Sequence, residues 1–364
     1  MKKSFIKFIL FIISISSYSF SLSITDKYPS YAYVFAEFDV DESYIYDADF
    51  ERFVLQNEKK IKTFYKRSLS RGKDLLPMMK GYLMDDGLSD LFIYLSMVES
   101  GFSPAIVSPK KAVGLWQFMP ATAKHYNLSV YSTFDERCDP ISSTNAAINY
   151  LSKLHRQFGK WYLAAMAYNC GEGRLEKAIK KAGSDELSIL IDDRDKYLPL
   201  ETREYIKKIL LVAMIGESMT LDFGSGQYSS TDDILQVEVL GGTKLRELAK
   251  LIEMKSSRLI ALNKQFKNAM VPKNKFMYKI TIPEEKMVAF YLRYELPEVK
   301  KSIKPHLLSH YVSLGETLES IAKQYHSSIE DIKTANQLND DFLTLDTLLV
   351  IPVSQGLFEE ALKN

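Results

Sequence analysis

Between Ser89 and Tyr126 one glutamate stands where the surrounding pattern calls for an apolar side chain. Leu91, Leu95 and Glu99 follow at helical spacing with Phe92 and Val98 beside them, so a helix carries all three on one core-facing stripe. Ser89 is placed to cap that helix, and Gly101 and Pro104 stop it just past the glutamate. Glu99 then sits in the last turn, where apolar neighbours and the negative end of the helix dipole both disfavour its ionised form. A carboxyl kept protonated near neutral pH suits general acid catalysis. The plainer alternative is a surface glutamate at a frayed helix end.

More polar blocks accompany it. Glu99-Ser100-Gly101-Phe102 is followed by Ser108 and Gly114-Leu115-Trp116-Gln117-Phe118-Met119-Pro120, then Ala167-Tyr168-Asn169-Cys170-Gly171, then Glu201-Thr202-Arg203-Glu204-Tyr205. In this order the four blocks resemble the catalytic domain of the soluble lytic transglycosylase type, related to goose-type lysozyme. The likeness is strongest to the membrane-bound murein transglycosylases that carry LysM modules, and it covers residues 70–216. In one place the chain departs from the pattern: a glycine usually precedes the alanine of the second block, and here the residue is Lys111.

The resemblance implies a mainly α, lysozyme-like catalytic domain in which Ser108, Gln117 and Asn169 line a glycan cleft. It further implies that Tyr168 and Tyr205 either hold the Glu99 carboxyl or stack on a sugar ring, and that Glu201 accepts from a saccharide hydroxyl or amide. By residue type alone, Gln117 and Asn169 equally suit helix ends and Tyr205 equally suits the core. Lys110 and Lys111 read as a solvated basic loop, with acidic stem peptides as the other contact.

The chain opens with Lys2 and Lys3, an apolar run from Phe5 to Ile13, and small polar residues up to Ser23. Residues 1–23 read as a secretory signal peptide; the run is short for a membrane span, and a retained anchor is the alternative. No cysteine follows it, so a lipid anchor is not expected. The destination is the periplasm or cell envelope. A net charge of +1 argues against nucleic acid. Five scattered histidines and no glycine-rich phosphate loop imply neither metal nor cofactor. Cys138 and Cys170, the two cysteines, form either one disulfide or two free thiols.

Residues 24–69 read as an extended arm from Tyr28 to Asp49 and then a helix with Phe50, Phe53, Val54, Ile61, Phe64 and Tyr65 in the core. Residues 217–233, with Gly224, Ser225 and Gly226, read as a linker. Two βααβ units follow. In residues 305–355, Tyr311-Val312, Gly315-Glu316-Thr317-Leu318, Ile321-Ala322, Asn336 and Pro352 resemble a LysM module, which implies binding to N-acetylglucosamine-containing glycans. Residues 234–285 repeat it loosely, with Gly242, Leu245, Leu248-Ala249, Asn263 and Ile282-Pro283 in the same places, as duplicated modules do. This copy lacks the Gly-Glu-Thr-Leu turn and has extra residues before its last strand, so it reads as degenerate.

The expected function is a peptidoglycan lytic transglycosylase acting on strands of alternating N-acetylglucosamine (GlcNAc) and N-acetylmuramic acid (MurNAc), with Glu99 as its one general acid and base and a 1,6-anhydro product. The matching blocks are expected to place no second carboxylate opposite Glu99, which disfavours two-carboxylate hydrolysis. The alternatives are a hydrolytic muramidase on the same fold and a cell-wall-binding protein without catalysis.

Overall fold

The structure, a computed structural model, describes residues 22–222, 234–295, 306–336, 338 and 340–361. It forms two compact units, one reaching to Tyr294 and one from Glu295 onward. Of the expected signal peptide only Leu22 and Ser23 are among the described residues; of the expected linker, residues 223–233 lie outside them.

The first unit opens with α1 (Ile24–Lys27), α2 (Tyr31–Glu37) and a 3-10 turn at Glu42–Tyr46. An extended arm was the expectation for this stretch. It is helical instead, because Val34, Phe35 and Phe38 are fully buried and only a helical turn brings those positions to one side. The Tyr162 amide donates to the Phe38 carbonyl at 2.9 Å and the Trp161 amide to Asp39 Oδ2 at 2.8 Å, which ties the arm to the domain.

Asp47 caps α3 (Ala48–Gly72) by accepting from the amides of Asp49 and Phe50. Phe50, Val54, Ile61 and Tyr65 are buried as expected, whereas Phe53 and Phe64 are half-buried and border a cleft. Next come α4 (Leu76–Asp85) and α5 (Ile93–Ser100), the second preceded by a 3-10 turn that Ser89 caps. After a long loop follow α6 (Pro120–His125), α7 (Pro140–Phe158), α8 (Trp161–Cys170), α9 (Glu172–Ala182), α10 (Leu187–Leu190) and α11 (Leu200–Asp222). Asp139 caps α7 with Pro140 in its first turn, and Gly159 ends it. From Ile209 to Ile215 every residue of α11 is fully buried, so this helix is central, with α3, α5 and α8 packed on it. Its final turns occupy residues 217–222, where the linker was expected to begin.

The repeat is real in three dimensions. β1 (Ile234–Leu240), α12 (Leu245–Leu251), α13 (Ser256–Leu262) and β2 (Met277–Pro283) form the first βααβ unit, its strands antiparallel, with α14 (Met287–Arg293) appended. In the second compact unit, β3 (His306–Tyr311), α15 (Leu318–Gln324), α16 (Ile329–Asn336) and β4 (Leu348–Val353) repeat this order before α17 (Gln355–Ala361). One asparagine closes each copy in the same way. Asn263 donates to the Thr281 carbonyl at 2.6 Å and accepts from its amide at 2.8 Å; Asn336 does so with Val350 at 2.7 and 2.8 Å.

The turn between first strand and first helix keeps its spacing in both copies, Gly242 to Leu245 and Gly315 to Leu318. What the first copy lost is its chemistry: Thr317 caps α15 reciprocally with Ser320, while Lys244 gives α12 no side-chain cap. The extra residues after Asn263 have a structural use. Asp135 donates its amide to Gln265 O at 3.0 Å, Lys267 donates to Thr133 O at 3.1 Å, and Phe134 stacks on Phe266 at 5.2 Å. This copy is therefore fastened to the helical domain within a single compact unit.

Candidate active site

Gly101, in the left-handed conformation, ends α5 two residues after Glu99, and the chain then loops through residues 102–119 back toward the same helix. Two serines of α5 hold that loop: Ser96 Oγ donates to Leu115 O at 3.0 Å and Ser100 Oγ to the same oxygen at 2.9 Å. Trp116 is fully buried with its indole N–H on Thr144 Oγ1 at 3.0 Å, so this tryptophan packs rather than contacts ligand. From the other side comes Arg137, buried in a bidentate pair with Asp135. Its Nη1 donates to the carbonyls of Lys111 and Phe118, both at 3.1 Å, pinning the two ends of the 111–118 segment.

Lys111 has φ of +66°, the left-handed conformation in which glycine is free of strain. The glycine usual at this position thus has a backbone reason, and the lysine keeps the turn at a conformational cost. Lys111 N still donates to Ser108 O, and Ser108 Oγ accepts from Ala112 N at 3.0 Å. Lys111→Gly is expected to raise stability by about 1 kcal/mol or less, the strain relieved being partly offset by the extra freedom of an unfolded glycine. An unchanged or lowered denaturation midpoint would contradict this.

Glu99 opens onto a cleft of about 530 Å³ bordered also by Ser108, Gln117, Asn169, Glu201 and Tyr205. The carboxyl is packed deep among protein atoms while its tip meets the cleft. Burial pushes it up to about 7, against the opposing pull of the Tyr205 hydrogen bond and the Lys208 charge, while Glu201 adds a small push upward. Tyr205 Oη donates to Glu99 Oε1 at 2.5 Å. Asn169 Oδ1 accepts from Thr202 Oγ1 at 2.8 Å, and Gln117 Nε2 donates to Gly114 O at 2.9 Å and Ile106 O at 3.3 Å. Both amides thus brace the cleft walls as well as face it.

Of the two tyrosines, Tyr205 holds the carboxyl. Tyr168 lies behind, its hydroxyl on Trp116 O at 2.7 Å and its ring against Tyr150 and Phe118, so it braces the loop. Lys110 meets the exposed Glu201 at 3.3 Å. Glu201 and Glu204, which the sequence assigns to a later binding helix rather than to the place of a second catalytic carboxylate, both border the cleft. α11 brings them there; both are exposed, and Glu201 is engaged by Lys110. Sequence reasoning missed the contributions of α3 and of Lys208, which carry no motif; the only signal was the spacing of Phe53, Asn57, Lys60 and Phe64. Cys138 and Cys170 are free thiols, and burial pushes Cys138 up to about 11.

Residues 80–191 match the model of the transglycosylase SLT domain and residues 310–352 that of the LysM domain. Membrane-bound lytic murein transglycosylase D of Escherichia coli strain K12 is 29% identical over 260 residues, 68% of this chain and 56% of that protein, so the chain spans little more than half of this relative. Soluble lytic murein transglycosylase of the same strain is 33% identical over 119 residues, 31% of this chain and 18% of that protein. The crystal structure of the 70 kDa soluble lytic transglycosylase of Escherichia coli aligns with 56% of this chain and 31% of its own at 22% identity and a TM-score of 0.31. Residues 80–191 thus match the transglycosylase SLT domain and residues 310–352 the LysM domain, and the chain is homologous to membrane-bound lytic murein transglycosylase D.

Proposed function

We propose that the protein is an exported peptidoglycan lytic transglycosylase of the cell envelope, cleaving the β-1,4 bond from MurNAc to GlcNAc with Glu99 as its acid and then its base. The observation that carries this reading is the Glu99 carboxyl, raised to about 7 and open to a cleft lined by polar side chains. Protonated Glu99 gives its proton to the glycosidic oxygen as the C1–O bond breaks, and the N-acetyl group of the muramic ring eases the charge at C1. The carboxylate left behind accepts from the Tyr205 hydroxyl and is favoured by the nearby charge of Lys208. It then takes the proton of the C6 hydroxyl as that oxygen closes on C1, giving the 1,6-anhydro ring. Water is not consumed. A hydrolase of the two-carboxylate type needs a second carboxylate opposite the acid, as nucleophile or to activate water. Glu201 is bound to Lys110 at the exposed rim, and Glu204 is exposed on the same helix, which favours the one-acid route.

The reactive form of Glu99 is the protonated one, so kcat/KM on purified sacculi is expected to fall as pH rises through about 7. A rate still rising to about pH 9 would contradict the acid role.

The LysM domain supplies attachment, which raises local substrate concentration without touching the chemistry. Residues 295–364 alone are expected to sediment with insoluble peptidoglycan, while the chain ending at Tyr294 stays largely in solution. Equal retention of the two would show that the 234–285 copy binds as well. In our reading that copy is structural, as its fastening through Gln265 and Lys267 supports.

A further inference from the structure

One wall of the cleft comes from α3, which precedes the residues matched by the SLT model. Phe53, Asn57, Lys60 and Phe64 follow at steps of three and four, share one face of the helix, and all border the cleft that Glu99 opens onto. α11 adds Lys208, whose ammonium lies 4.7 Å from the centre of the Phe64 ring. Burial depresses Lys208 below the usual lysine range, the nearby Glu99 charge opposes this, and the charge of Lys60 adds a smaller depression. Two cations from separate helices thus converge on one cleft, and among the described residues neither has a carboxylate within ion-pair distance. Lys27, Lys62, Lys80, Lys153 and Lys160 in the same unit each have one.

Like charges drawn together cost energy, and that cost is recovered when an anion binds between them. The acids of the cleft do not cancel the pair. Glu99 is protonated over the acidic range, Glu201 is engaged by Lys110, and Glu204 alone is left against two lysines. The sugar hydroxyls and acetamides of a glycan strand are neutral. Its anionic groups are the carboxylates of the peptides attached to muramic acid.

Resting on the reading that this cleft holds a peptidoglycan strand, we infer that Lys60 and Lys208 form a binding site for a carboxylate of the stem peptide. Asn57, whose Nδ2 donates one hydrogen to the Phe53 carbonyl, borders the same cleft, and Phe53 and Phe64 form the apolar flank. The site makes the cleft selective for strands that carry charged peptides. Of the two lysines that sequence alone offered for this contact, Lys110 and Lys111, the first is already taken by Glu201.

The test is binding, in the full chain with Glu99→Gln so that the probe survives. One probe is a disaccharide tetrapeptide with free peptide carboxylates; the other is the same molecule with those carboxylates converted to amides. The free acid is expected to bind about tenfold more tightly, as a charge-assisted hydrogen bond allows. Adding Lys60→Met should bring the two affinities together, and Lys60→Arg should keep them apart. Binding by the LysM domain is common to all these proteins and does not change with Lys60. Equal affinities for the two probes before Lys60 is changed, or a preference that survives Lys60→Met, would overturn the inference. Failure of the transglycosylase reading would show separately, as wild-type protein that yields no anhydro product.

Discussion

Glu99→Gln is expected to lower turnover of peptidoglycan by at least about a hundredfold, the low end of what a lost general acid costs. The amide keeps the shape and can still accept from Tyr205 Oη, now 2.5 Å from the carboxyl, but it has no acidic proton to donate. Retention on insoluble peptidoglycan should persist, because the LysM domain lies elsewhere in the chain. Stability should move the other way. A raised folded-state value means that the fold holds the proton more tightly than the unfolded chain does. Wild-type stability is therefore full below the usual glutamate range, is lost as pH climbs toward about 7, and stays low above it. Glutamine suffers no such loss, so the variant should gain at most about 3 kcal/mol over wild type at about pH 8 and almost nothing at about pH 4. Wild-type activity in the variant would remove Glu99 from the site.

Gly114→Ala is the substitution expected to damage the fold most. Gly114 has φ of +89°, and a Cβ there would lie 1.8 Å from the carbonyl oxygen of Arg137 and 2.8 Å from its carbonyl carbon. Those are backbone atoms of the segment whose side chain pins Lys111 and Phe118, so no rotamer change relieves the clash. Strain and overpacking together should cost about 3 kcal/mol or more. Both tryptophans, Trp116 and Trp161, belong to the first compact unit, so their fluorescence reports its unfolding without interference from the second. The denaturation midpoint should drop well below that of wild type, whereas Lys111→Gly in the same turn shifts it slightly upward. A Gly114→Ala midpoint within error of wild type would mean that the loop does not cross Arg137 as described.

These two residues show what was legible in the sequence and what was not. Glu99 could be read because its environment is local: the helix stripe from Leu91, the Ser89 cap and the Gly101 stop all lie within a few turns. The repeat was legible for the same reason, down to Asn263 and Asn336, which close the two copies alike. Tyr205 was legible only as one of two tyrosines, since choosing between it and Tyr168 takes the packing of α8 on α11. The arm at residues 28–49 looked irregular because its helices are too short to show a period, and what folds them is burial against the rest of the domain. The cleft wall on α3 was hidden differently. Phe53 and Phe64 share a helix with core aromatics, and only the tertiary fold separates the face that packs from the face that opens. Glu201 and Glu204 were known as block residues, but their place beside Glu99 depends on how α11 crosses α5.

Because those two acids share the cleft, the chemistry is decided by the product. Purified full-length protein digesting peptidoglycan, with the released sugars weighed by mass spectrometry, gives the direct answer. Ring closure by the C6 hydroxyl predicts muropeptides ending in 1,6-anhydro-MurNAc, each lighter by one water than the hydrolytic product and resistant to borohydride reduction. Reducible MurNAc ends as the main product would contradict the account and make the protein a muramidase.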